Sequence, residues 1–243
     1  MVRTPREIEA VALKARKELG LCLGLNESLL RKNLEDRGYF LFYYPFGESG
    51  ILGALISNVH ARILVINSSQ SIGRQNFTVA HELGHIYLHN TESLVEMPGD
   101  ESSTKEMEAD SFASMFLMPA NDVSSIIRTN GGIEFDAVEV MEISQMFRMS
   151  YKATLERLKE VFGQRAIPQS LWDKKPLQLA EMLNMDRRLY EPSEEKYWSN
   201  SKYVSTAFRA LKKERISFSR FLELMKEIGL DGYDVLENMK ENN

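Results

Sequence analysis

The sequence is poor in cysteine and histidine, with one and four among its 243 residues, and it has no apolar run of membrane-spanning length. Cys22 alone cannot close an intrachain disulfide, which fits a reducing compartment and excludes a cysteine-rich metal site. The longest apolar stretches, such as residues 51–56, fall far short of the roughly 20 residues a transmembrane helix needs. Residues 1–20 scatter Arg3, Arg6, Glu7, Glu9, Lys14, Arg16, Lys17 and Glu18 among apolar side chains, so they hold no uninterrupted signal-peptide core. The expectation is a cytoplasmic protein without a membrane partner. Basic charge is not in excess either: the net charge is −5 overall, −7 over residues 1–150 and +2 over residues 151–243. Displacing the counterions of DNA takes clustered Lys and Arg, so direct DNA binding is not expected.

What is present is ordinary globular material, 43% hydrophobic, enough for one large or two small domains. Ile8, Val11, Ala12, Ala15 and Leu19 recur at helical spacing, and Leu29, Leu30 and Leu34 mark a second short helix. Residues 39–44, 51–56 and 62–66 read as three strands separated by Pro45, Gly47 and Gly50 and a further turn. After a loop, residues 77–88 return to a helical pattern. A polar loop over residues 90–103 leads to another helix, expected to end at Pro119. From Asp136 onward every pattern is helical, so strands and helices are segregated as in α+β folds. Residues 136–147, a turn at 148–150 and residues 151–161 form a helix-turn-helix pattern with Ser150 as N-cap. Tyr151, Lys152 and Arg157 are expected to be exposed there and able to meet a partner, although packing of this hairpin on the core is the favoured reading. Pro168 and residues 173–176 read as a linker. Val204, Ala207, Phe208 and Leu211, then Phe218, Phe221, Leu222, Met225 and Ile228, mark two amphipathic helices of a small appendage.

Three of the four histidines fall within nine residues, as His81, His85 and His89, and the first two complete an H-E-x-x-H motif with Glu82. Four residues apart on a helix, His81 and His85 project from one face and can bind one metal ion. Glu82 lies about a third of a turn away, displaced from the ligand position but able to reach a water whose pKa the ion lowers toward about 7. In a chain this poor in histidine the motif arises by chance less than about once in a hundred sequences. A catalytic zinc takes three protein ligands, so a third donor should follow, and Glu106, Glu108 and Asp110 are the candidates. Glu106 and Asp110 share a helical face, giving one carboxylate for the metal and one to accept from a ligating histidine. Glu108 has Phe112 as its i+4 neighbour. Against Glu106 stands a capping box, Ser103 to Glu106, in which its side chain would fold back on the helix start. His89 lies about 12 Å of helical rise from His81, too far for a ligand on the same straight helix. Gly84 inside this helix points to close approach by another segment.

The string RQNFTVAHELGH over residues 74–85, followed by Leu88 and His89 and then by ExEADxFAxxxLMP over residues 106–119, resembles the ImmA/IrrE family of bacterial metallopeptidases. The resemblance covers about residues 60–160. It implies a minimal zincin-like, gluzincin-type domain that cleaves a helix-turn-helix repressor or antitoxin in phage or mobile-element immunity and stress responses. His81, His85 and Glu106 match the metal ligands and Glu82 the catalytic glutamate, while Asp110 stands where the family carries Asn as often as Asp. The implied cofactor is Zn2+, with Mn2+ accepted by the same donors. The expected organisation is a zincin-like domain with a small sheet over residues 1–130, a helix-turn-helix-like segment over 131–165 and an all-helical C-terminal appendage over 166–243. In zincin-like enzymes the strand before the site helix, here residues 62–66, can be an edge that pairs with an extended substrate, with sheet interior as the alternative. Tyr43, Tyr44, His60 and Arg74 are candidates to stabilise the oxyanion. The rival to an enzyme is a regulatory binding protein with a structural metal site and a helix-turn-helix interaction surface.

Overall fold

The computed structural model describes all residues except 1, 48–49, 58–60, 90–102, 128–133, 193–196, 200 and 242–243. Two helices open the chain, α1 (Pro5–Glu18) and α2 (Glu27–Asp36). The first begins at a capping box: the Thr4 side chain accepts from the Glu7 amide, the Glu7 carboxylate accepts from the Thr4 amide, and Pro5 takes the first turn, where no amide donor is needed. Three strands follow, β1 (Tyr39–Tyr44), β2 (Gly53–Ser57) and β3 (Arg62–Asn67), and then α3 (Ile72–His89) and α4 (Thr104–Leu117). A two-residue strand, β4 (Trp198–Ser199), completes a sheet of order β2-β3-β1-β4. β1 and β3 run parallel, while β2 on β3 and β4 on β1 are antiparallel.

Of the two readings of the strand before the site helix, edge or sheet interior, this order gives the interior. β3 lies inside the sheet because the stretch of chain between β1 and β3 contributes β2, which turns back to pair with β3 on its other side, and β2 becomes the edge. Alternation on β1 serves two cores. Tyr39, Leu41 and Tyr43 face the main core with α1, α3 and α4, whereas Phe42 faces the other way, against Tyr203, with ring centroids 5.0 Å apart.

α4 ends at Leu117, with Met118 non-helical ahead of Pro119 as expected, and Pro119 also takes the N-cap position of α5 (Ala120–Ile126), a helix the sequence pattern does not announce. The expected helical pair appears as α6 (Ala137–Phe147) and α7 (Tyr151–Phe162), with Ser150 accepting from the Ala153 amide at 3.3 Å. Two of the side chains expected to be exposed are buried, Tyr151 and Arg157, and only Lys152 faces solvent. Arg157 donates to the Met118 carbonyl at 2.9 Å and pairs with Glu160 and Glu9, so its charge is spent joining α7 to α4 and α1. The segment read as a linker is also structured: Ala166, Ile167 and Leu171 join the main core, and Pro176 starts α8 (Pro176–Met182). α9 (Ser201–Lys212), α10 (Phe218–Glu227) and α11 (Gly232–Glu241) gather a second apolar cluster around Phe208, Phe221 and Met225. Among the described residues no helix is long and apolar enough to cross a membrane.

Candidate metal centre

The loop into α3 is set by buried Asn67, whose side-chain amide donates to the Ile51 carbonyl at 2.8 Å while its oxygen accepts from the Ser69 amide at 2.9 Å. Gln75 ties the same loop to the first turn of α3 by donating to the Gln70 carbonyl at 2.6 Å. Farther along, Gly84 provides the close approach its sequence position implied: a β-carbon there would stand 3.0 Å from the Cα of Ala109 on α4. The two helices therefore pack backbone to backbone beside the histidines.

That contact brings His81, His85 and Glu106 together, with one ligand atom of each lying within 4.8 Å of the others. His81 Nε2 is 3.0 Å from His85 Nε2 and 3.1 Å from Glu106 Oε2, and His85 Nε2 is 3.5 Å from Glu106 Oε1. Only half of the predicted capping box forms. Ser103 accepts from the Glu106 amide at 3.2 Å, but the Glu106 carboxylate faces the imidazoles instead of the helix start. Asp110, one turn on, sits 2.8 Å from His81 Nδ1. A carboxylate can only accept, so Nδ1 carries a proton toward Asp110, while Nε2 faces the Glu106 carboxylate across a gap that a proton or a cation can bridge.

Three metal-ligating side chains thus converge on one place that a shared cation could occupy. The two Glu106 distances run to its two different oxygens, and with one ligand atom per residue the three stay within 4.8 Å of one another. The donor set fits a divalent ion of zinc type, and among the described residues it numbers three. Glu82 is buried beside it at 3% exposure, and Gly53 at the start of edge strand β2 leaves room for its carboxylate: a β-carbon on Gly53 would lie 3.2 Å from Glu82 Oε1 and collide with Thr78.

His89 and Glu108 are not in the cluster, yet neither is idle. His89 Nδ1 lies 3.2 Å from His85 Nδ1, and its Nε2 lies 3.0 Å from Glu108 Oε2. Burial lowers the His89 pKa against the opposing pull of Glu108. Burial also works against the charge on Glu108, but the Arg3 amide, His89 and the Arg3 guanidinium outweigh it and hold the carboxyl down at about 2. Along its own helix Glu108 has only Phe112 as i+4 neighbour, so this partner is not visible in the local sequence pattern. Of the oxyanion candidates, Tyr43 lies under the Arg31 guanidinium, 4.5 Å from its ring centroid, Tyr44 packs on Phe46 and Tyr197, and Arg74 donates to Gln70 at 3.0 Å. His60 lies outside the described residues.

A helix-borne pair of imidazoles, a carboxylate from a second helix and a buried glutamate beside them define a cluster suited to a hydrolytic metal. The model of the Peptidase_M78 family, the IrrE N-terminal-like domain, matches residues 34–159, just over half of the chain. The chain belongs to that family, a metallopeptidase family, which implies a metal ion. No curated protein matches the chain significantly. Among solved structures, a Mycobacterium tuberculosis transcriptional regulator is similar over 63% of this chain at 15% identity and a TM-score of 0.45. This chain spans 46% of that structure's length.

Proposed function

We propose that the chain is a zinc-dependent endopeptidase in which His81, His85 and Glu106 hold the ion and Glu82 is the general base. The convergence of two imidazoles and a carboxylate within 4.8 Å, beside a buried glutamate, carries this reading. Zinc held by such donors supplies Lewis acidity and lowers the pKa of water to about 7. Glu82 takes the proton of the water that attacks the scissile carbonyl and returns it to the amide nitrogen as the C–N bond breaks. Its burial strengthens its interaction with both proton donors and acceptors by excluding solvent. An extended peptide adds to the outer edge of β2, whose Gly53 lies against Glu82, by main-chain hydrogen bonding.

The substrate we assign is a helix-turn-helix repressor or antitoxin, cleaved in the cytoplasm to control mobile-element, phage-immunity or stress-response genes. Family membership supports this choice. We divide the chain into a zincin-like domain over residues 1–130, a helix-turn-helix-like segment over 131–165 and a helical appendage over 166–243. The second apolar cluster supports a separate appendage over α9–α11, whereas Ala166, Ile167, Leu171 and β4 join the main core and sheet, and the burial of α6 and α7 against that core supports a packing role for the middle segment. Elemental analysis and X-ray absorption of the purified protein test the site. One zinc per chain with an open coordination position is expected. A fourth protein ligand would favour the rival, a binding protein with a structural metal, and absence of bound metal after zinc loading would overturn both.

A further inference from the structure

His85 faces the cluster with Nε2, and its other nitrogen begins a chain of contacts leading away from it. His85 Nδ1 meets His89 Nδ1 at 3.2 Å, and His89 Nε2 meets Glu108 Oε2 at 3.0 Å. Glu108 accepts from the Arg3 amide at 2.7 Å and from Arg3 Nη1 at 2.6 Å, while Arg3 Nη2 donates to the Leu88 carbonyl. The His89 and Glu108 side chains are 3% and 6% exposed, so the chain runs through dry protein until it reaches Arg3.

Because Arg3 donates to both oxygens of Glu108, the donor roles follow from that end. A carboxylate accepts only, so the proton of His89 is on Nε2. Neutral His89 then offers the lone pair of Nδ1, and His85 must donate to it from its own Nδ1. The lone pair of His85 is thereby left on Nε2, facing His81 and Glu106. Reversing the His89 tautomer would set an imidazole lone pair against a carboxylate oxygen and leave two N–H groups confronting each other.

We propose that His89, Glu108 and Arg3 are positioning residues for His85, and that the segment ahead of α1 thereby sets how tightly the centre holds its ion. This rests on His85 being a ligand. His81 is oriented differently, by direct contact with Asp110, whose side chain is 60% exposed. Each imidazole therefore has its own carboxylate from α4, one wet and direct, the other dry and relayed.

The test measures Zn2+ affinity of the full chain by competition with a chromophoric chelator, alongside thermal melting. His89→Ala should weaken Zn2+ binding by about 10–100-fold, and Glu108→Gln and Arg3→Ala should act in the same direction. His89→Gln should restore most of the loss, because its carbonyl can accept from His85 while its amide donates to Glu108. Unchanged affinity in His89→Ala overturns the relay while leaving the metal centre intact. Failure of the wild-type chain to bind Zn2+ overturns the metal-centre reading and the relay with it. Should His89→Ala not fold, long-range 1H–15N spectra of the zinc-loaded wild-type protein decide: His89 protonated on Nε2 alone is expected, and protonation on Nδ1 overturns the relay.

Discussion

In place of the missing side chain of Gly84, a β-carbon would stand 3.0 Å from the Cα of Ala109 and 3.2 Å from its carbonyl oxygen. This backbone contact between α3 and α4 puts Glu106 and Asp110 within reach of the histidines. Gly84→Val should push the helices apart, with an overpacking cost of about 1–3 kcal/mol, and should weaken Zn2+ binding at the same time. Thermal melts and chelator competition on one preparation check this. A valine variant matching wild type in both would show that the close approach is dispensable.

Asp110 can be separated from folding because its side chain is 60% exposed. Asp110→Ala should leave the melting temperature near wild type but reduce Zn2+ affinity by about 10–100-fold through loss of the hydrogen bond to His81. Asp110→Asn, which keeps an acceptor oxygen, should recover most of it. Equal affinity in all three proteins would remove Asp110 from the account.

Arg16 is 4% exposed and donates to the carbonyls of Phe116, at 2.7 Å, Gly24, at 3.0 Å, and Cys22, with Asp122 3.4 Å away. It docks α1 on the end of α4. Arg16→Met keeps the apolar stem and strips the donors from buried carbonyls, so urea unfolding should show a loss of about 3 kcal/mol.

Asp186 accepts from Arg188 at 2.9 Å and from Arg148 at 3.1 Å, and Arg148 also bonds Glu27 at 3.0 Å. The Arg188 hydrogen bond, opposed by burial and reinforced by Arg148, lowers its pKa from 3.8 to about 2. A depressed acid stabilises the fold above its unfolded pKa. The contribution of Asp186 should therefore be whole above about pH 4 and vanish as the pH falls through about 2. The stability difference between wild type and Asp186→Asn, followed by urea unfolding from pH 6 to pH 2, should shrink over that window. A constant difference would contradict the assignment.

The histidine spacing and Gly84 were legible because the helix makes them so: an i, i+4 pair shares a face whatever surrounds it, and a mid-helix glycine costs stability without a neighbour to explain it. Glu106 was legible through its partner Asp110, although the cap and the cluster competed for its side chain. What joins distant segments was not legible. Glu108 meets Arg3 across 105 residues and His89 across 19, contacts that no periodicity encodes. The same holds for β3, whose interior place depends on parallel pairing with β1, and for Tyr151 and Arg157, which look solvent-facing until α7 settles on Met118.

Peptide-bond cleavage by zinc-loaded wild type and Glu82→Gln, each incubated with helix-turn-helix repressors of the same organism, tests the central claim. Wild type should cut a repressor at a defined bond, and Glu82→Gln, with zinc still bound, should lose at least about 100-fold in rate because the general base is gone. Intact repressors with zinc-loaded wild type, or equal cleavage by both proteins, would contradict it.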